Sequence, residues 1–299
     1  MCITFLYLNT DNPNCPYKLI LINNRDEHYS RLTAEAELKS VGRLRTIHGT
    51  DIDALEHGTW LGLSQIDETI RIGNLLNVAG EQVRKNAKGR GDITINFIKS
   101  KDLPLIHNTK LLSHCSQYNG FNFLSIEINP FGISAYNACN VDRSIQKLSN
   151  GNHGLSNSPY NDPYLKVTNG IEFFKEIIKT SSHADKPQLT NSFINLLKSD
   201  TKHFPCPELL KRRPYDAEVY SSIHVRHPCV HYGSRNRSVI LIDHFHNVDY
   251  IEERMINEDP KNSIWDRKDF KIPGTVKPKG MFQYLMGFRR IVGRLKAVL

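Results

Sequence analysis

A cysteine directly after the first methionine can do chemistry that an internal cysteine cannot. The chain begins Met1-Cys2-Ile3, and an apolar run at Leu19–Ile22 leads into Asn23-Asn24-Arg25-Asp26-Glu27. Removal of Met1, the usual fate of an initiator before a small residue, would leave Cys2 with both a thiol and a free α-amine. The thiolate is a strong nucleophile. An α-amine titrates at about pH 8, low enough to act as base for its own side chain. The charged cluster at 24–27, ending a neighbouring strand, would orient that amine. The competing reading makes Cys2 a small apolar residue opening a strand and the cluster a charge network that locks a strand end. Arg25 and Glu27 share a strand face and can pair with each other, whereas Arg25 and Asp26 face opposite sides.

Strands must position such a group. Ile3–Leu8 and Lys18–Ile22 read as strands joined by the turn-forming stretch Asn9 to Pro16, hence as an antiparallel hairpin. The second is apolar on both faces, which predicts burial between layers. Further strands are expected over 58–64, 69–76, 121–128 and 132–136, with a helix from Asp92 to Ile98. After Pro163, the residues Leu165, Ile171, Phe174, Ile177 and Ile178 recur at helical spacing, and Pro187–Leu197 reads as a second helix. Strands return at Ser222–Val225, Ser238–Ile242 and Val248–Glu252. Strands, then helices, then strands predict an α+β fold built in layers. One domain is expected over residues 1–258, with 259–299 as a linker and tail. In that tail Met281, Leu285, Phe288, Ile291, Val292 and Leu295 alternate with Arg289, Arg290, Arg294 and Lys296. This pattern predicts a C-terminal basic amphipathic helix over 281–299, suited to an anionic membrane surface or to docking on the core.

With 39% hydrophobic and 23% charged residues, the 299-residue chain is not a disordered one. A formal charge of +8 favours anionic partners. No nucleic-acid-binding motif accompanies it, so nucleic acid is not the expected partner. The six cysteines are scattered without close pairing, and Met1-Cys2-Ile3 opens no signal peptide, which points to a reducing, cytoplasmic setting. No stretch approaches the roughly 20 apolar residues of a spanning helix, and no spacing predicts a metal site. Gly89-Arg90-Gly91 ahead of a helix is either a plain turn or a device that turns Arg90 and free amides toward a phosphate or carboxylate. Trp60, within Gly58-Thr59-Trp60-Leu61-Gly62, reads as a large packed ring flanked by sites of close backbone approach.

Taken together, the blocks Asn24-Arg25-Asp26-Glu27, Gly58 to Gly62, Gly89-Arg90-Gly91, Tyr118 to Asn122, Gly154-Leu155-Ser156-Asn157 and Tyr232-Gly233-Ser234-Arg235-Asn236 resemble, in order, those of the NRDE family. The resemblance runs from residue 2 to about residue 257. It implies a fold like that of the N-terminal-nucleophile (Ntn) hydrolases, a four-layer αββα sandwich of two antiparallel sheets. It implies Cys2 as nucleophile, Asp26 as partner of the amine, Asn157 as an oxyanion donor, and Arg25 and Arg235 as pocket cations. Asn24, Arg25, Asp26, Glu27, Trp60, Arg90 and Arg235 are the expected ligand-binding set. The family is linked to haem trafficking from membrane-bounded stores, to lipid and acyl-CoA homeostasis and to Golgi organisation. The expected role is therefore handling of haem, or of a similar anionic amphiphile such as acyl-CoA, in the cytoplasm near mitochondria or Golgi membranes. The alternatives are a Cys2-dependent amidohydrolase or thioesterase and a noncatalytic membrane-associated adaptor. Cys15-Pro16, Cys206-Pro207, His203, His244, His246, His224, His227 and His231 carry side chains able to ligate haem iron, and each reads as a turn or surface residue.

Overall fold

The computed structural model describes residues 1–12, 14–181 and 184–275. The expected helix over 281–299 lies outside the described residues. The chain enters one sheet through β1 (Ile3–Leu8) and β2 (Tyr17–His28). It then builds a second sheet from seven strands taken in sequence: β3 (Thr33–Val41), β4 (Leu44–Asp51), β5 (Leu61–Ile66), β6 (Thr69–Asn77), β7 (Phe121–Asn129), β8 (Gly132–Cys139) and β9 (Ser144–Lys147). Helices α1 (Gly91–Lys99) and α2 (Pro104–Ser113) leave this sheet between β6 and β7. The chain returns to the first sheet with β10 (Gly151–Leu155). It crosses that sheet's outer face as α3 (Leu165–Lys179), α4 (Lys186–Leu197), α5 (Pro207–Arg212) and α6 (Ala217–Tyr220). It finishes in β11 (Arg226–His227), β12 (Tyr232–Asp243), β13 (Val248–Met255) and β14 (Trp265–Ile272). The first sheet runs β10-β1-β2-β12-β13-β14, with β11 paired to β12, and every pairing in both sheets is antiparallel.

Alternation along β2 explains the layering. Leu19 and Leu21 point between the sheets, where they meet Leu63, Ile72 and Leu124. Ile20 and Ile22 point the other way, into a cluster with Phe174 of α3 and Phe193 of α4. A smaller cluster seats Phe97 of α1 against Phe121 and Phe123 of β7. The molecule is thus the expected two-sheet α+β sandwich, with a helical layer on each outer face.

Three expectations need correction. Strand β2 does not stop at Ile22. It continues to His28 because β12 pairs along its whole length, giving the polar residues of 23–28 full ladder partners. Residues 222–225 are not a strand; the pairing begins only at Arg226. The boundary at residue 258 also falls short. Strand β14 pairs with β13 from Met255↔Trp265 to Val248↔Ile272, so residues 265–272 complete the first sheet instead of linking to a tail. One further irregularity bears on the site. Ser234 pairs with Asp26 and Asn236 with Arg25, leaving Arg235 as the extra residue of a β-bulge.

Candidate functional site

Asp26 is where β1, β2, β12 and α3 converge. Its side chain is fully buried on the helical face of the first sheet, and its Oδ2 lies 3.3 Å from an α-ammonium. That ammonium belongs to Met1, not to Cys2. It also contacts the Tyr232 hydroxyl, which donates to the Asp26 carbonyl at 3.0 Å. Across the β2–β12 ladder, the Ser234 hydroxyl donates to Asp26 Oδ1 at 2.5 Å. A second cation closes the pocket: the Lys166 ammonium, from the first turn of α3, donates to the carbonyls of Ser222 at 3.1 Å and Met1 at 3.4 Å. The α-ammonium thus pairs with the buried carboxylate directly, whereas Lys166 acts on it only through space. Burial lowers the α-amine below its usual range, against the pull of Asp26. Burial likewise lowers Lys166 to about 8, again opposed by Asp26. Loss of solvation raises Asp26, with the α-ammonium and Lys166 pulling it back.

Cys2 turns its thiol to the opposite side, toward the space between the sheets. Its Sγ lies 3.8 Å from the Asp26 carbonyl, and Ser156 donates to the Cys2 carbonyl at 2.7 Å. Burial raises the thiol, which the neighbouring α-ammonium only partly offsets, so it stays protonated at neutral pH. Two open cavities of about 270 and 290 Å³ meet at this residue. Both are lined by Cys2, Asp26, Glu27, Asn77, Arg90 and Asn119, and together they form one cleft. Asn157 lines the first cavity, where its amide donates to the Asn77 carbonyl at 2.5 Å. Arg25 and Trp60 line the second, with the guanidinium 4.2 Å above the indole ring. Arg25 also reaches Asp51 at 3.6 Å and Glu27 at 3.7 Å, and Arg31 pairs with Asp51 at 2.9 Å.

Arg90 faces both cavities under different terms. Its guanidinium donates to the Gly120 carbonyl at 2.7 Å and, among the described residues, forms no ion pair. Burial lowers its pKa, with Glu27 the main opposing charge. Two glycine motifs put it there. A Cβ on Gly58 would sit 2.1 Å from the Gly91 carbonyl carbon, so the start of α1 lies directly on the backbone that leads into β5. Thr59 N–H donates to the Gly91 carbonyl at 3.0 Å and fixes the contact.

Of the expected site residues, Cys2, Asp26, Glu27, Asn157, Arg25, Trp60 and Arg90 come together around this cleft. Asn24 and Arg235 do not line it. Asn24 donates to the carbonyls of Leu197 and Ile223 on the helical side, bracing that layer against the sheet. Arg235, displaced by its bulge, donates to the carbonyls of His28 and Arg31 and holds the turn after β2. Cys15 and Cys206 are buried away from the cleft, next to Ser181 and the Leu165 amide. Sequence reasoning missed Lys166, Tyr232 and Ser234. The last two stood inside a quoted block, two residues apart as one strand face requires. Lys166 could have been found as a lysine four residues before Gly170 and eight before Phe174, on the buried side of α3.

Comparison with known proteins places this geometry in context. The family model described as Transport and Golgi organisation 2 matches residues 1–257. The chain is 34% identical over 284 residues to Transport and Golgi organization protein 2 of Drosophila melanogaster, covering 91% of this chain and 99% of that one. It is 29% identical to the Bos taurus homolog, over 86% of this chain and 93% of the relative. It is 27% identical to the Homo sapiens homolog, over 85% and 92%.

Proposed function

The chain belongs to the Transport and Golgi organisation 2 family, and from that premise we propose that its N-terminal cleft binds an anionic amphiphile, with haem as the cargo to test first. Arg90 carries this reading. Four of its five N–H donors have no acceptor among the described residues, and it faces a cleft partly closed to water. A guanidinium so placed suits a carboxylate or phosphate. A haem propionate and a coenzyme A phosphate both supply that group, so acyl-CoA is the competing cargo. Met1, Cys2 and Tyr232 line the same cleft and are of the residue types that ligate haem iron. In this role the protein would move haem from membrane-bounded stores, in line with the transport and Golgi organisation for which its relatives are named.

Titration of the full chain with ferric haem, followed by absorbance, should saturate in the micromolar range. Arg90→Gln should weaken binding by about tenfold or more, the size of a charged hydrogen bond lost from a partly buried site. No saturable binding, or equal binding by both proteins, would overturn the reading.

A hydrolase reading has one observation in its favour: Asp26, fixed by Ser234, forms a seat for an α-amine beside the Cys2 thiol. It requires that Cys2 become the first residue, since its nitrogen is a non-basic amide while Met1 remains. Intact-mass measurement of the protein incubated with an acyl thioester decides it. An acyl adduct on Cys2 in a chain lacking Met1 is the expected product, and an unmodified chain rules the reading out.

A further inference from the structure

We propose that the interior between the two sheets, behind Arg25, is a proton-binding site centred on Glu252, and that the charge there sets how strongly Arg25 draws an anion into the cleft. The effect on cargo rests on the amphiphile reading above; the link between Glu252 and Arg25 does not.

The face of the first sheet that meets the second is apolar at Leu19, Leu21, Ile240 and Ile242 and turns polar beyond them. Strand alternation puts Asn23 and Arg25 of β2, Ser238 and Asn236 of β12, and Glu252 and Arg254 of β13 on this face, opposite one another in register. Glu252 and Asn236 are each 1% exposed. Glu252 also reaches across the interior. An irregularity at Glu35-Ala36 frees the Ala36 N–H from the β3–β4 ladder, and it donates to Glu252 Oε1 at 3.0 Å. Among the described residues the other carboxyl oxygen has no hydrogen-bond partner. Neither has either amide atom of Asn236, one terminal nitrogen of Arg25 or the Trp60 indole N–H. Buried polar groups are ordinarily satisfied, so a cluster of unsatisfied ones marks a place that takes up something polar.

A proton fits this set. An ionised Glu252 would be a buried charge with a single donor. A protonated one brings a hydroxyl donor into a space that holds unpartnered acceptors, the Asn236 amide oxygen among them. The charges facing it are engaged elsewhere. Arg254 of β13 donates to the Thr33 carbonyl at 3.1 Å. Lys268 of β14, opposite Glu252 in register, lies 3.7 Å from Glu35 of β3 and from Asp266. Arg25 of β2 pairs with Glu27 and with Asp51 of β4. Burial accordingly raises Glu252 to about 7, while the Ala36 N–H, Arg254 and Arg25 pull it down and Glu35 pushes it up. Arg25 joins this interior to the cleft, because it lines the second cavity and its charge acts on Glu252. While Glu252 is protonated, Arg25 attracts a cleft anion unopposed from behind. Once Glu252 ionises, the new carboxylate offsets part of that attraction. Anion affinity therefore falls as pH rises through about 7, and a bound anion in turn raises the Glu252 midpoint.

Infrared difference spectra of the full chain, without ligand, test the site itself. The carbonyl stretch of a protonated carboxyl should disappear with a midpoint of about pH 7, be missing in Glu252→Gln, and titrate at higher pH in Arg25→Gln. No such band, or a midpoint unmoved in Arg25→Gln, overturns the proposal. Decanoate, a carboxylate amphiphile ionised across the range, tests the link to the cleft. Between about pH 6 and 8 its affinity for wild type should fall by about three- to fivefold more than its affinity for Glu252→Gln. The α-amine and Lys166 titrate in both proteins, so the difference isolates Glu252. Equal pH profiles overturn the link to the cleft. If neither decanoate nor haem binds while the band behaves as expected, the Glu252–Arg25 pair stands and the amphiphile reading falls.

Discussion

Lys166 brings a second ammonium into a pocket where Met1 already faces Asp26, and it receives only two carbonyls in return. A buried charge so weakly compensated destabilises the fold while it lasts. The direction with pH follows. In the unfolded chain Lys166 titrates at the ordinary 10.5, in the folded protein at about 8. Between those values the unfolded state holds more protons, so this residue's contribution to stability rises with pH across that window and is level below it. Lys166→Met should therefore be more stable than wild type at neutral pH. Its advantage should shrink by roughly 2–3 kcal/mol as pH approaches 10.5. Urea midpoints for both proteins at pH 7, 9 and about 10 measure this. A difference that stays constant with pH would mean that Lys166 is not perturbed. Removing its charge should also raise the α-amine, because Lys166 is among the groups that lower it.

At the scale of elements, the site depends on two backbone devices: the bulge at Arg235 and the contact between Gly58 and Gly91. Both explain what was and was not legible in the sequence. The hairpin of β1 and β2 could be read because two short apolar runs flank the turn-forming stretch Asn9 to Pro16, and Leu19 to Ile22 is apolar on both faces, as suits a strand buried between layers. The continuation of β2 through Asn23 to His28 could not, because its polar side chains are satisfied by partners far along the chain, at Ser234, Leu197 and Ile223. The β3–β4 hairpin was invisible for another reason: β3 is mostly exposed and β4 only partly buried, so neither needs a clear apolar alternation. Arg235 was quoted in the right block and assigned to the pocket, but no local signal marks the bulge that turns it away. Gly58 to Gly62 could be read as a site of close approach and Gly89-Arg90-Gly91 as a turn or an anion-binding helix start, yet nothing in either said that they approach each other. That contact gives a direct test. Gly58→Ala places a methyl where the Gly91 backbone now lies, so β5 and α1 must separate. Haem affinity should fall together with stability, by about 2 kcal/mol or more for the latter. A variant with wild-type urea midpoint and wild-type affinity would show that the contact does not position Arg90.

At the scale of the whole molecule, the match to the family model ends at residue 257, but the sandwich does not. Strand β14 covers the far side of β13, seats Ile272 in the core between the sheets and lays Phe270 edge-on against Tyr250 with ring centroids 6.2 Å apart. Trp265, at its other end, lies 3.6 Å from the guanidinium of Arg237. A chain ending at residue 258 would lose these contacts and leave β13 with a bare hydrogen-bonding edge, the usual template for unwanted strand pairing. The apolar burial of Ile272 and Phe270 alone is worth about 2–4 kcal/mol, a large share of the stability of an ordinary domain. The shortened chain should therefore unfold at markedly lower urea concentration than the full chain and sediment partly as aggregate. The cleft, at the β1–β2 end of the sheet, is lined by no residue of β13 or β14. The fraction that stays monomeric should thus bind haem with unchanged affinity. Equal urea midpoints for the two chains would return residues 259–272 to the status of a linker. Loss of haem affinity in the monomeric fraction would mean instead that the far edge of the sheet helps hold the cleft in shape.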